Sequence, residues 1–385
     1  MAYDLFKSLA DYQLVLLGFL GFAFLLQLIY YVLIYGKVGR VKQTSTSNPD
    51  ATFPPISVVI CARNEYENLE QNLPLIAEQD YPNYEIIVVD DCSEDDTIIL
   101  LERLSKQYPH LRQTNIKKDD KFGHGKKLAV TIGIKSAKND IIVFTDADCT
   151  PYTNQWLKQM SLGYTSDKTE IVLGYCGYKK SKGFLNRIIR CDAFFIGLNY
   201  LGLAMSHLPY MGIGRNLSYR KQLFLKNKGF ASHLSLLSGD DDLFINEVAT
   251  SKNTRVAISK DALLTTPAKE TLDAWILQKT RHGSTYKRYT LKSKFLLSTE
   301  MVSRLIFFML TIVLTVLLPY PLQLLPVGIA GLRLITIAIS FKAGICKLKE
   351  KGLWLPMLLF DIISPVLYLA LYLKRKITPK RQQWS

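Results

Sequence analysis

The stretch DIIVFTDADCTP (140–151) runs four apolar residues, Ile141 to Phe144, into two aspartates one residue apart, Asp146 and Asp148. Two carboxylates at the end of a buried strand are hard oxygen donors that suit magnesium or manganese. Such an ion takes one or two carboxylate oxygens and completes its shell with phosphate and water. The pair therefore points to a diphosphate-bearing ligand. A second apolar run, EIIVVDD (85–91), also ends on two carboxylates, Asp90 and Asp91. The DCSEDDT segment beginning at Asp91 reads as a helix entry, with Ser93 or Asp95 as its cap.

Three further stretches carry chemistry. KFGHGKKLA (121–129) sets Gly123 and Gly125 beside Lys126 and Lys127 at a helix start, a backbone and charge combination that can contact phosphate. It lacks the spacing of a Walker loop. GDDDL (239–243) places Asp240, Asp241 and Asp242 among Leu236, Leu237, Leu243, Phe244 and Ile245. Three adjacent aspartates ordinarily mark a solvated turn, but these apolar flanks hold a carboxylate next to a pocket, where it can act as general base toward a hydroxyl. WILQKTRHGSTYKRYTLKSK (275–294) has Lys279, Arg281, Lys287, Arg288, Lys292 and Lys294 without an acid, interleaved with Trp275, Tyr286 and Tyr289. That pattern reads as a basic amphipathic helix on lipid headgroups.

The elements that must position these residues alternate. ISVVICA (56–62), EIIVVDD (85–91), DIIVFTDAD (140–148) and EIVLGY (170–175) are short β-branched strands, with helical patterns near 66–79, 95–107 and 126–138 between them. Strand–helix alternation predicts an α/β domain around a mostly parallel sheet. In such sheets ligands bind beyond the carboxyl ends of the strands, where both acidic pairs fall.

Hydrophobic residues make up 48% of the 385-residue chain although 21% are charged, which predicts a water-soluble part joined to membrane segments. Residues 12–35 carry no charge and are long enough to span a bilayer. The stretch has no basic start or cleavage site and reads as an anchor. Lys37, Arg40 and Lys42 follow it, against Lys7 before it, which places the next domain in the cytoplasm. A block at 305–341, broken by PYP at 319–321, reads as two spans. A block at 353–373 is interrupted by Pro356, Asp361 and Pro365 and lies between the basic loop 342–351 and a tail with Lys374, Arg375, Lys376, Lys380 and Arg381. One span cannot put both basic segments on the same side, so this block reads as re-entrant or interfacial. Arg333, mid-span, either meets a lipid phosphate or marks a shallow segment. FLNRIIRCDAFFIGLNYLGLAM (184–205) is expected in the interface, because Arg187, Arg190 and Asp192 oppose spanning. The net charge of +15 comes without a zinc-finger, helix-turn-helix or RNA-recognition signature, so no nucleic-acid partner is expected. Six scattered cysteines without a CxxC pair argue against disulfides and for a reducing compartment.

In order and spacing, VVICARNE, VVDDCSEDDT, the GK-containing helix start, DAD, GDDDL and QKTRH resemble the membrane-bound glycosyltransferases of family 2. The resemblance covers about residues 55–285. It implies a GT-A catalytic domain, a doubly wound mixed and mostly parallel sheet, with flanking transmembrane helices. The organisation expected is an anchor at 1–36, a linker at 37–54, a cytoplasmic catalytic domain at 55–295, membrane or re-entrant segments at 296–373 and a basic tail at 374–385. By the same resemblance Asp91 binds the base or ribose of a nucleotide sugar, while Asp146 and Asp148 hold Mn2+ or Mg2+ on its diphosphate. Lys126, Gln278 and Arg281 contact the donor. Asp240, or else Asp241, deprotonates the acceptor hydroxyl, and transfer inverts the anomeric centre. The expected donor is a UDP-sugar, and the acceptor is lipid-linked or otherwise in an inner membrane, as in glycolipid or cell-surface polysaccharide synthesis. QKTRH departs from the QxxRW pattern of polymerising members at His282, read as a helix-surface residue, which favours one addition over processive synthesis. The other class left open is a catalytically silent nucleotide-sugar sensor or membrane scaffold; a transporter fits less, since most of the chain is soluble.

Overall fold

The computed structural model describes residues 9–41, 53–117, 125–236 and 238–377. Lys7, Lys42, Gly123, Leu237, Lys380 and Arg381 lie outside the described residues, as do the side chains of Arg375 and Lys376.

A seven-stranded sheet forms the centre, in the order β3-β2-β1-β4-β8-β6-β9. Strands β1 (Ile56–Ala62), β2 (Tyr84–Asp91), β3 (Leu111–Ile116) and β4 (Ile141–Asp146) are mutually parallel. Antiparallel β8 (Leu217–Arg220) joins β4 to β6 (Ile171–Leu173), and β9 (Thr254–Val256) closes the far edge. A small second sheet takes β5 (Thr150–Pro151), β10 (Leu264–Thr266) and β7 (Cys176–Tyr178). The central parallel strands are apolar throughout because both faces are covered. Alternate residues serve alternate faces: Val58, Ile60, Ile86, Val88 and Val143 meet one core, while Val59, Ile87, Val89, Ile142 and Phe144 meet the other.

The helices, in chain order, are α1 (Asp11–Arg40), α2 (Tyr66–Ala77), α3 (Thr97–Gln107), α4 (Lys126–Ser136) and α5 (Trp156–Ser161). They continue with α6 (Phe184–Met205), α7 (Lys221–Lys226), α8 (Asp242–Val248) and α9 (Leu272–Gly283). Three long helices end the chain: α10 (Leu291–Leu317), α11 (Leu324–Lys347) and α12 (Trp354–Ile377). The first core packs α2 and α3 on the sheet. The second runs without a break from α4 through the sheet to α6, the end of α1, α11 and the start of α12. Gly133 of α4 lies so close to β1 that a Cβ there would collide with Val59. The strands, the helix segments near 66–79, 95–107 and 126–138, and the mixed, mostly parallel sheet thus match expectation.

Five helices among the described residues are long and apolar enough to cross a membrane: α1, α6, α10, α11 and α12. The structure corrects four expectations in this region. First, α6 does not lie on the surface: 83% of its most apolar window is buried inside the protein. Its charges find partners there, Arg190 with Glu350 at 2.6 Å and Asp192 with Lys279 at 2.7 Å. Second, Arg333 is buried inside the protein; its guanidinium donates to Asp361 and to the side-chain amide oxygen of Gln27, each at 2.8 Å. Third, the block at 353–373 is one continuous helix. Pro365 leaves the Asp361 carbonyl without its helical donor, and Arg304 Nη1 supplies one at 3.3 Å. Asp361 itself is neutralised by Arg304 and Arg333. Fourth, 275–294 is not one headgroup helix: α9 ends at Gly283, a 3-10 turn covers Thr285–Arg288 and α10 begins at Leu291.

Candidate active site

Asp146 is the last residue of β4 and Asp148 follows one turn residue later. Ala147 between them is buried in the core, so both carboxylates face away from it, into one cavity of about 450 Å³. Buried Asn72 of α2 pins this turn, donating to the Ala147 carbonyl at 3.1 Å and accepting from the Thr150 hydroxyl at 2.7 Å. The neighbouring strand ends are aligned by register: Cys61 of β1 sits opposite Asp146, and Ala62 opposite Asp90.

Lys126, at the start of α4, reaches across this crevice. Its ammonium lies 2.7 Å from Asp146 and 3.8 Å from Asp240. Burial would raise the Asp146 carboxyl, but Lys126 outweighs it and holds the group below the ordinary carboxylate range. Burial would likewise lower the Lys126 ammonium, but Asp146, Asp240 and Asp241 hold it well above its usual value. Lys127 turns elsewhere. Its ammonium donates to the His233 and Leu236 carbonyls at 2.6 and 2.8 Å, fixing the loop that leads to GDDD. Burial pushes Lys127 down to about 8. Gly239, at φ +103, allows the reversal into α8, since a side chain at that angle is strained.

The three aspartates of GDDD differ sharply in what they touch. Asp241 caps α8, accepting from the Gly214 N–H at 2.8 Å and the Asp242 N–H at 2.7 Å. Asp242 accepts from the hydroxyls of Thr285 and Tyr289 and from the Leu243 N–H. Asp240 is held only by Lys126 among the side chains and opens on the cavity. Burial, with Asp241 adding to it and Lys126 opposing, raises its carboxyl above the ordinary aspartate value.

On the opposite wall, α9 presents Gln278, Arg281 and His282 at helical spacing. His282 thus faces the cavity, where an outer helix surface was expected. Its ring is open to the cavity, yet the enclosing walls strip enough water, and Lys279, Arg281, Arg215 and Lys126 add enough positive charge, to push its pKa well below 6.5. Lys279 turns from the expected headgroups to Asp192. Asp91 ends β2 fully buried and is not on the wall of this cavity. Ser93 and Asp95 are structural: Ser93 accepts from the Asn64 N–H at 2.9 Å and Asp95 from the Thr97 N–H at 3.1 Å.

Among the wall residues that sequence reasoning missed are the charged and aromatic Glu65, Tyr178, Arg215 and Lys269. Arg215 lies over the Tyr178 ring at 4.7 Å and is close enough to act on Asp146. A glycine-flanked arginine, GIGRN, was its only signal.

The donor set fits a divalent cation. Asp146 and Asp148 supply hard oxygens on one wall, and among the described residues no third His, Cys, Asp or Glu joins them in a ligand group. The rest of a coordination shell would come from phosphate and water, as such ions favour beside nucleotides.

A mixed sheet with an acidic strand end thus faces a basic helical wall across the cavity. Residues 57–227 match the model of glycosyl transferase family 2. Glycosyltransferase AglE of Haloferax volcanii is 35% identical over 111 residues, 28% of this chain and 35% of that protein. Probable glycosyltransferase YdaM of Bacillus subtilis is 27% identical over 238 residues, 60% of this chain and 54% of that protein. The chain thus spans about half or less of these two curated relatives. The mannosyltransferase PcManGT of Pyrobaculum calidifontis, solved with GDP-Man and Mn2+, superposes with a TM-score of 0.55 at 18% identity, covering 88% of this chain and 99% of that one. That likeness is one of fold. Residues 57–227 thus match glycosyl transferase family 2, and the chain shares its overall fold with a solved mannosyltransferase.

Proposed function

We propose that the chain is an inverting transferase that moves a sugar from a nucleoside-diphosphate sugar, with UDP-sugars the first donors to test, onto a membrane-held acceptor hydroxyl. One observation carries this reading. The cavity that holds Asp146, Asp148 and Asp240 continues without a wall to Ala193 and Ile196 of α6 and Leu297 of α10, where the domain meets the apolar helices. Donor chemistry and a route toward lipid share one space.

Asp240 takes the proton from the acceptor hydroxyl, whose oxygen bonds to the anomeric carbon as the bond to the diphosphate oxygen breaks on the opposite face. Arg281 and Gln278 hold the diphosphate from the α9 wall. Lys126 exchanges a carboxylate for the departing phosphate oxygen. Asp91, buried and off the cavity wall, would reach the nucleoside only if the end of β2 opened, so its role there rests on the resemblance alone. A divalent ion, when bound by Asp146 and Asp148, would offset the charge that grows on the leaving group. His282 in place of an aromatic platform suits single addition; the length of the product separates this from processive synthesis.

The contacts of α12 support a membrane arrangement in which it packs on both α11 and α6. Its first turn leans on α11, Trp354 donating to the Ala338 carbonyl at 3.0 Å, and its second half returns to the catalytic domain, where Tyr368 bonds Asp192 at 2.9 Å. By the charge rule the basic loop 342–351 lies on the cytoplasmic side of an inner membrane.

The test is nucleotide release by the detergent-purified chain across a panel of nucleotide sugars, with manganese, magnesium or chelator. Selective, metal-dependent release that is lost in Asp240→Asn is expected. Nucleotide binding without turnover on any donor, with acceptor lipids supplied, would leave only the silent sensor.

A further inference from the structure

Charge is spread unevenly where the catalytic domain meets the long helices. Residues 176–191 and 342–353 hold nine Lys and Arg against a single acid, Glu350. Glu350 is used internally: it is buried, accepts from the Tyr175 hydroxyl at 3.0 Å and pairs with Arg190 at 2.6 Å. Arg190 also donates to the Lys351 carbonyl at 2.9 Å, so the α11–α12 turn is bolted to α6. The loop before α6 is fixed from the other side. Asn186 donates to the Lys179 carbonyl and accepts from the Ser181 N–H, each at 3.0 Å. The Lys180 ammonium lies 3.7 Å from where a Cβ on Gly352 would stand.

These ties gather Lys180, Lys182, Arg187, Lys349 and Lys351, all exposed, onto one surface. Large apolar side chains stand among them. Phe184 is 74% exposed and Leu355, in the first turn of α12, is 64% exposed. Leu355 belongs to the apolar outer face of α12, and Phe184 opens α6 beside Lys182. A water-soluble polyanion would neutralise the cations and leave Phe184 and Leu355 wet. A leaflet with anionic headgroups satisfies both, since its phosphates meet the ammonium groups while its acyl region takes the rings and chains.

We propose that this surface docks anionic lipid headgroups and seats the catalytic domain on the leaflet, a reading that rests on the membrane arrangement above. The test uses the full chain without donor, so that failure of the catalytic assignment does not touch it. Protein extracted from bilayers of mixed phosphatidylcholine and phosphatidylglycerol is analysed by mass spectrometry for the lipid it retains. Several-fold enrichment of phosphatidylglycerol is expected, falling as ionic strength rises. Replacing Lys180, Lys182, Lys349 and Lys351 by Gln should bring the ratio near parity. The same change at Lys106, Lys168, Lys226 and Lys252, exposed elsewhere on the domain, should leave it unchanged. The single change Lys182→Glu, on a fully folded background, should lower the ratio part way. Equal enrichment in the wild type and the patch variant, or no enrichment in either, overturns the proposal. Retention of neither lipid overturns the membrane arrangement and the proposal with it.

Discussion

Asp240 and Asp241 are adjacent, yet their surroundings assign them opposite roles, and this can be measured. Asp241 spends its two oxygens on backbone donors at 2.8 and 2.7 Å, while Asp240 has Lys126 at 3.8 Å and otherwise the cavity. Hydrogen bonds to a charged acceptor contribute about 1.5 kcal/mol or more each. Asp241→Ala should therefore cost about 3 kcal/mol, or roughly 6–12 °C in melting temperature for a domain of this size. Asp240→Asn removes no backbone bond and keeps the shape of the side chain. It should melt with the wild type and bind nucleotide nearly as well. Its loss falls on transfer, by about 10²–10⁴-fold, the usual contribution of a general base, or about 3–5 kcal/mol of barrier. Transfer kinetics, nucleotide titration and a melting curve on the two variants separate the roles. An active Asp240→Asn beside an inactive Asp241→Asn of unchanged stability would refute the assignment.

Further outcomes follow from the same geometry. Because burial raises the Asp240 carboxyl, the transfer rate should fall on the acid side at a pH above that of an ordinary aspartate. Protonation of that group favours the folded state, so its contribution to stability should grow as pH falls while activity drops; a pH–rate profile beside pH-dependent melting checks the opposed signs. Asp148→Ala should abolish metal-dependent nucleotide binding, and manganese-dependent binding retained in a calorimetric titration would remove it as a ligand. Asp361→Ala leaves Arg333 in the helix bundle without a carboxylate partner, while Arg304 keeps Glu300, and should cost about 3–5 kcal/mol, read as a lower melting temperature in detergent. Glu300 also pairs with Arg304 at 3.2 Å, so the joint change of Asp361, Arg304, Arg333 and Glu300 to Leu, Met, Met and Gln should cost less than the single one.

What the sequence made legible is what repeats locally. Strands β1, β2 and β4 are unbroken β-branched runs, and the carboxylates at the end of β4 fall where an open α/β sheet exposes its crevice, whereas those ending β2 are buried. The cavity walls at Asp146, Asp148, Asp240, Gln278 and Arg281 were therefore found from short segments. The misses share a different cause. Arg333 looked costly in isolation because its neutralising partner Asp361 lies 28 positions away, on a helix whose own aspartate looked like an interruption. Read together, the two faults cancel. The same holds for Asp192 and Lys279, each taken as an interface charge until their 2.7 Å pairing removed both from the headgroups. Periodicity reports which face of a helix is apolar, not which distant charge it will meet. β3, with its polar LRQTNI, escaped for a related reason: an edge strand needs no apolar run.

Lys126 shows how the site and the fold constrain one another. Its ammonium stands between a carboxylate that would serve a metal and one that would serve as base, and neither can be satisfied by water to the same degree in so enclosed a crevice. Removing charge from either side would leave the rest unbalanced, so Lys126 stabilises the acidic strand end before any donor arrives. The same position makes it the nearest cation to a diphosphate entering beside Asp146. A lysine suits this exchange better than an arginine, because a compact ammonium on a flexible stem can change partners without rebuilding a bidentate geometry. Lys127, one residue on, cannot share that freedom: it is tied to two carbonyls of the loop that carries Asp240. Neighbouring lysines on one helix turn thus differ: Lys127 fixes the loop that leads to Asp240, and under the proposed function Lys126 would move between its carboxylate and the donor.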